Sequence, residues 1–105
     1  MPLLDNLYTI LEQSNEKIVV QLCDETHPIF KAHFPQYPIL PGFILIDMIA
    51  EILNDKVVHI KQSKFIAQLL PDDVISCHID TKGQQRNIKI FKNKQKVSQI
   101  SYESK

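Results

Sequence analysis

Two glycines, two cysteines and no tryptophan in 105 residues rule out much before any positive signal is read. Gly42 and Gly83 stand far apart, so a phosphate-cradling glycine loop and a dinucleotide fingerprint are both excluded. There is no G-x-S-x-G nucleophile elbow either. Cys23 and Cys77 form no C-x-x-C pair and read as small buried thiols in a reducing compartment. The four histidines, His27, His33, His59 and His78, lack metal-ligand spacing, so no metal and no cofactor is expected. His59 and His78 fall in strand-like runs and are expected to face solvent. No apolar run reaches the ~20 residues that a membrane span requires. The start shows no charged segment followed by an apolar one, which points to the cytoplasm. A net charge of zero removes the simplest argument for nucleic-acid binding.

What is present reads as one globular domain, residues 1–105. A hydrophobic fraction of 44% is enough for a core and argues against disorder. Charge is unevenly spread. Residues 1–55 hold eight acids against Lys17 and Lys31, whereas residues 56–105 hold ten bases against four acids. Six basic residues and no acidic one lie between Lys82 and Lys96. Two readings fit that run: a solvated hairpin face, or a docking patch for an acidic partner.

The chain is organised around His33-Phe34-Pro35-Gln36-Tyr37-Pro38-Ile39-Leu40-Pro41-Gly42 and the apolar run Phe43 to Leu53 that follows it. Pro35, Pro38 and Pro41 stiffen the first part and keep it largely non-helical. Pro41 suits a helix start, and Gly42 lets another group approach the backbone N–H donors there. A helix from about Pro41 to Asn54 is expected, with Asp47 and Glu51 its only polar residues between Phe43 and Leu53, sharing one narrow face with Asn54 and Asp55 further along. A helix apolar almost all round is a buried one.

Around it lie β-leaning runs: Tyr8 to Glu12, Lys17 to Leu22, Val57 to Ala67, Val74 to Asp80, Arg86 to Lys92 and Val97 to Tyr102. In Val74 to Asp80, Ile75, Cys77 and Ile79 alternate with Ser76, His78 and Asp80, the period of a half-exposed strand. Residues 1–7 read as a lead-in or helical turn, and Ile29 to Ala32 as a lead into the proline loop. Five or six strands with one principal helix indicate an α+β fold, an antiparallel sheet wrapped around one central buried helix. A small sheet covers only part of such a helix, so a homo-oligomer is expected.

His33 and Asp47 are the candidate chemical groups. Histidine exchanges protons near neutrality. Desolvation of a carboxyl on an apolar helix favours its protonated, proton-donating form. The N–H donors at Gly42 can stabilise negative charge developing on a carbonyl oxygen. A base, an acid and an oxyanion site together suit proton abstraction α to a carbonyl.

His-Phe-Pro-x-x-Pro-x-x-Pro-Gly, with a carboxylate on an apolar helix fourteen residues after the histidine, resembles the bacterial 3-hydroxyacyl-(acyl carrier protein) dehydratases of the hotdog fold. Lys64-Phe65 and Leu70-Pro71-Asp72-Asp73 are similar to that family's basic-aromatic strand and its Pro-Gly-Asp turn. The likeness covers about residues 26–80. It implies elimination of water from a (3R)-hydroxyacyl thioester to give the trans-2-enoyl thioester. His33 would take the C2 proton, Asp47 would assist departure of the C3 hydroxyl, and the Gly42 N–H would polarise the thioester carbonyl. It also implies a dimer whose sites draw on both subunits, and an acyl carrier protein (or acyl-CoA) substrate.

The chain departs from the pattern at four positions. Asp47 stands where the common branch has glutamate; aspartate occurs in the branch that also isomerises the double bond and in small dehydratases of aryl-polyene pathways. Ala32 and Asp72 stand where many relatives have glycine. Glu51 replaces a frequent glutamine and is a candidate modulator, since two carboxylates one turn apart disfavour each other's ionisation. A hotdog acyl thioesterase and a non-catalytic acyl- or carrier-binding module are the competing readings.

Overall fold

In a computed structural model the chain forms six strands and two helices; the structure describes residues 4–32 and 39–105. The strands are β1 (Tyr8–Gln13), β2 (Lys17–Leu22), β3 (Val57–Phe65), β4 (Val74–Lys82), β5 (Gln85–Lys92) and β6 (Gln95–Ser104). The helices are α1 (Pro28–Ala32) and α2 (Gly42–Leu53). All strands pair antiparallel in one sheet of order β1-β2-β4-β5-β6-β3. The α+β architecture expected from the strand runs and the single long apolar helix is the one observed.

Alternation decides which strand face is buried. Ile18 and Val20 of β2, Ile75, Cys77 and Ile79 of β4, and Ile88 and Ile90 of β5 all turn inward. They share one core with Ile44, Leu45, Met48 and Ile49 of α2. Ser76, His78 and Lys89 stay on the outer face, and His59 and His78 are exposed as expected. Cys77 is buried and Cys23 half-buried, and neither forms a disulfide. Burial pushes both thiols up, Cys77 to about 12 and Cys23, with help from the Asp24 charge, to about 11. The thiolate is therefore disfavoured at both.

Helix α2 starts and stops for local reasons. Pro41 is its N-cap in extended geometry (φ −62°, ψ 142°), without a side-chain capping bond. At the other end Asn54 adopts the left-handed conformation, and the N–H groups of Asn54 and Asp55 close onto the carbonyls of Glu51 and Ala50. Asp72 also sits at positive φ (68°), a conformation that favours glycine and that aspartate tolerates better than most residues.

Helix α1 differs from the expected lead-in. Pro28 opens it, and His27 immediately before it accepts the Ile29 N–H on Nδ1 at 3.0 Å. The other ring nitrogen, Nε2, donates to the Asp5 carbonyl at 2.7 Å. His27 thereby locks the N-terminal turn, closed by Leu7 N–H to the Leu4 carbonyl, onto α1. It is a structural histidine.

Both sheet edges depart from a regular ladder: the register shifts between Ile10 and Glu12 in β1, and between Val57 and His59 and again between Ile60 and Gln62 in β3. At β3, nine residues long and paired only with β6, Val58, Ile60 and Phe65 are each about half exposed.

Candidate active site around the start of helix α2

Pro41 caps the start of α2 with its carbonyl. Ile44 and Leu45 N–H both donate to the Pro41 carbonyl, at 3.1 and 3.2 Å, whereas the Gly42 N–H makes no hydrogen bond among the described residues. Beside it opens a groove of about 240 Å³ walled by Ile39, Leu40, Leu45, Phe65, Ile66 and Leu69, with Gln68 and Ser98 as its polar members. The Leu40 N–H to Leu69 carbonyl bond, 2.8 Å, holds the chain entering α2 against that wall. A free N–H at a helix N-terminus inside an apolar groove suits an oxygen on which negative charge grows.

Asp47 lies on the same helix, half-buried, five residues and about 7.5 Å of helical rise beyond Gly42. Its neighbours Ile46 and Met48 are buried, so the carboxyl emerges at a partly dry edge. Glu51, one turn on, is exposed and is held elsewhere. The Tyr8 hydroxyl donates to its Oε1 at 2.6 Å, linking the first residue of β1 to the helix. Burial, then the bond to Glu51 and its charge, raises the Tyr8 phenol above its ordinary range. No sequence signal pairs residues 43 positions apart.

His33, with Phe34, Pro35, Gln36, Tyr37 and Pro38, lies outside the described residues. Gly42 and Asp47 both belong to α2, Gly42 as its first residue and Asp47 five residues on. Among the described residues no group of three or more potential ligands could hold a metal ion.

Sequence reasoning also missed the anchor at the far end of α2. Asp55, expected on the polar helix face with Asp47 and Glu51, instead receives Arg86 Nε and Nη2, each at 2.9 Å. The Tyr102 hydroxyl donates to it at 2.5 Å. Burial would raise this carboxyl, but the Arg86 and Tyr102 hydrogen bonds outweigh it and hold the group below the usual carboxylate range.

One long helix laid in the curl of a six-stranded antiparallel sheet defines a hotdog-fold protein. The solved dehydratase heterocomplex ApeI:P from Xenorhabdus doucetiae shares the fold, with a TM-score of 0.74 at 22% identity over 92% of this chain and 96% of that one. Thioesterase superfamily member 2 from Mus musculus shares it too, with a TM-score of 0.66 at 13% identity over 98% and 84%. Within that class, the ApeI-like family, described as ApeI dehydratase, matches residues 10–103, and the chain belongs to it.

Curated relatives are named 3-hydroxyacyl-(acyl-carrier-protein) dehydratase FabZ. That of Ruminiclostridium cellulolyticum is 29% identical over 79 residues, 63% of this chain and 56% of the relative. That of Xylella fastidiosa is 24% identical over 105 aligned positions, 84% of this chain and 66% of the relative. The chain thus spans less than two thirds of the length of these relatives.

Proposed function

We propose that the protein is a dehydratase converting a (3R)-hydroxyacyl thioester, carried on an acyl carrier protein, to the trans-2-enoyl thioester during fatty-acid or related acyl-chain biosynthesis. The Gly42 N–H, which makes no hydrogen bond among the described residues and lies beside an apolar groove, is the observation behind this reading. Membership of the ApeI-like dehydratase family supports it.

In the proposed reaction the thioester carbonyl accepts the Gly42 N–H, which acidifies C2. His33 removes the C2 proton, the electron pair forms the C2–C3 double bond, and the C3–O bond breaks. Asp47 gives its proton to the departing hydroxyl, which leaves as water. Glu51 modulates the acid and is steered from it by Tyr8. Proton transfers alone complete the step, so no cofactor is called for, and the setting is the cytoplasm. No helix among the described residues is long and apolar enough to cross a membrane. The test is product analysis: loss of water with the thioester intact supports the reading, whereas release of free thiol points to a thioesterase.

One hotdog domain per chain would assemble as a homodimer or a higher homo-oligomer. The half-exposed Val58 and Ile60 on β3 favour an antiparallel edge contact between two copies. Ile60→Asp is expected to give a monomer by analytical ultracentrifugation and to abolish turnover, since each site would draw His33 and Asp47 from different subunits. An Ile60→Asp dimer of normal activity would contradict this.

The carrier protein would meet the outer sheet face. Of the six basic residues between Lys82 and Lys96, Arg86 is spent on Asp55 and Lys92 on Asp73 at 2.8 Å. Lys89 faces His78 across the β4–β5 ladder, and both line a cleft of about 620 Å³ with Val74, Ser76, Phe91, Asn93 and Lys94. That lining holds no acid, which favours an acidic partner. Lys89→Glu combined with Lys94→Glu is expected to raise KM for the carrier-bound substrate roughly ten-fold, about 1.4 kcal/mol. The same variant should leave KM for the matching acyl-CoA unchanged.

A further inference from the structure

The ring of Phe65 lies against Gly42, whose N–H is the proposed donor to the thioester carbonyl. A methyl group built on Gly42 would lie 2.6 and 2.8 Å from Phe65 Cε2 and Cε1, and closer still to Cζ. The tip of the ring therefore rests directly on the Gly42 backbone. Phe65 is the last residue of edge strand β3 and is 49% exposed. Its backbone is fixed by pairing with Ser98, and the next residue, Ile66, donates to the Val97 carbonyl at 2.8 Å. The main chain is thus anchored while the side chain is held mainly by Gly42 and the groove. The absence of a Cβ at residue 42 is what makes room for the ring, in addition to any need of the backbone donor for close approach.

The consequence follows from position. C2 and C3 are one and two bonds from the carbonyl carbon, so an acyl carbonyl accepting the Gly42 N–H brings both close to Gly42, and the ring tip occupies one side of that residue. Either the ring turns aside as substrate enters or it becomes the wall against which C2 and C3 pack. In both cases its bulk limits what those carbons can carry. We propose that Phe65 is a specificity-determining residue that restricts the site to acyl thioesters unbranched at C2. The proposal rests on the dehydratase reading and goes beyond it by naming the residue that shapes the substrate class.

Two measurements test it. The first compares kcat and KM of the wild-type protein and Phe65→Ala on an unbranched 3-hydroxyacyl thioester and its 2-methyl counterpart. Phe65→Ala is expected to raise the branched-to-unbranched ratio of kcat/KM at least ten-fold, mostly through KM; a ratio within two-fold of wild type overturns the proposal. Absence of wild-type turnover on the unbranched substrate would instead strike the underlying reading. The second is independent of turnover. Gly42→Ala is expected to lower the melting temperature in the wild-type background, where its methyl meets the ring. In the Phe65→Ala background it should raise it, since alanine is the better helix former. The same sign in both backgrounds overturns the proposed contact.

Discussion

His33→Ala and Asp47→Ala should each cost roughly 10²- to 10⁴-fold in kcat, the range for a positioned acid or base, while leaving the protein folded. In the proposed reaction the two groups would act on opposite ends of one elimination, so removing either should stall the same step. Effects in the double variant should therefore fall well short of the product of the single ones. Asp47→Asn is the sharper probe of the acid, because it keeps shape and hydrogen bonding but cannot supply the proton. Asp47→Glu tests reach: aspartate is one methylene shorter than glutamate, and the longer side chain should keep measurable turnover. Loss of only a few-fold in His33→Ala or Asp47→Ala would overturn the assigned roles. Circular dichroism and sedimentation of each variant separate lost chemistry from lost structure.

The largest effect on stability should come from the Asp55–Arg86 pair. Asp55 is only 6% exposed at its side chain and Arg86 23%, and the pair ties the end of α2 to β5. Arg86→Met would leave a buried carboxylate with the Tyr102 and Ser104 hydroxyls as donors and no compensating charge. Removing one partner of a buried pair typically costs 3–5 kcal/mol, and at ~4–8 °C per kcal/mol for a domain of this size the melting temperature should fall by more than ten degrees. Acid should act on the same pair. Because the folded carboxyl of Asp55 titrates below its unfolded value, its contribution is complete above the ordinary carboxylate range and is lost as pH falls through the folded value. Tyr102 works in the opposite direction: burial, then the bond to Asp55 and its charge, raises its phenol. That contribution holds below the ordinary phenol range and fades above it. Arg86→Met should flatten the acid limb of the stability profile; an unchanged acid limb and melting temperature would show the pair to be idle.

The sheet was readable from sequence because its strands announce themselves by alternation. Ile75, Cys77 and Ile79 turn inward as their period requires, and the apolar run after Pro41 is the central helix. What escaped depends on contacts between distant residues. Helix α1 is five residues long and rests on His27, whose ring needs the Asp5 carbonyl to be seated. Asp55 looked like a third carboxylate on the face of Asp47 and Glu51, and Arg86 like one more charge in a basic run; only β5 folding against the end of α2 joins them. Tyr8 offered no hint of Glu51, nor Phe65 of Gly42, because each pair meets through the sheet's curl around the helix. On the candidate site, Gly42 and Asp47 lie on the expected helix, His33 is outside the described residues, and Glu51 is engaged by Tyr8.

The central claim is that His33 exchanges a proton at C2 of a thioester whose carbonyl is held at Gly42. It is tested most directly by running the reaction in reverse, hydrating a trans-2-enoyl-carrier protein in deuterium oxide and locating the label by mass spectrometry. The account predicts a (3R)-hydroxyacyl product with one deuterium at C2, formed by the wild-type protein and not by His33→Ala. Hydration unaffected by that substitution, or thioester cleavage in place of hydration, would contradict it.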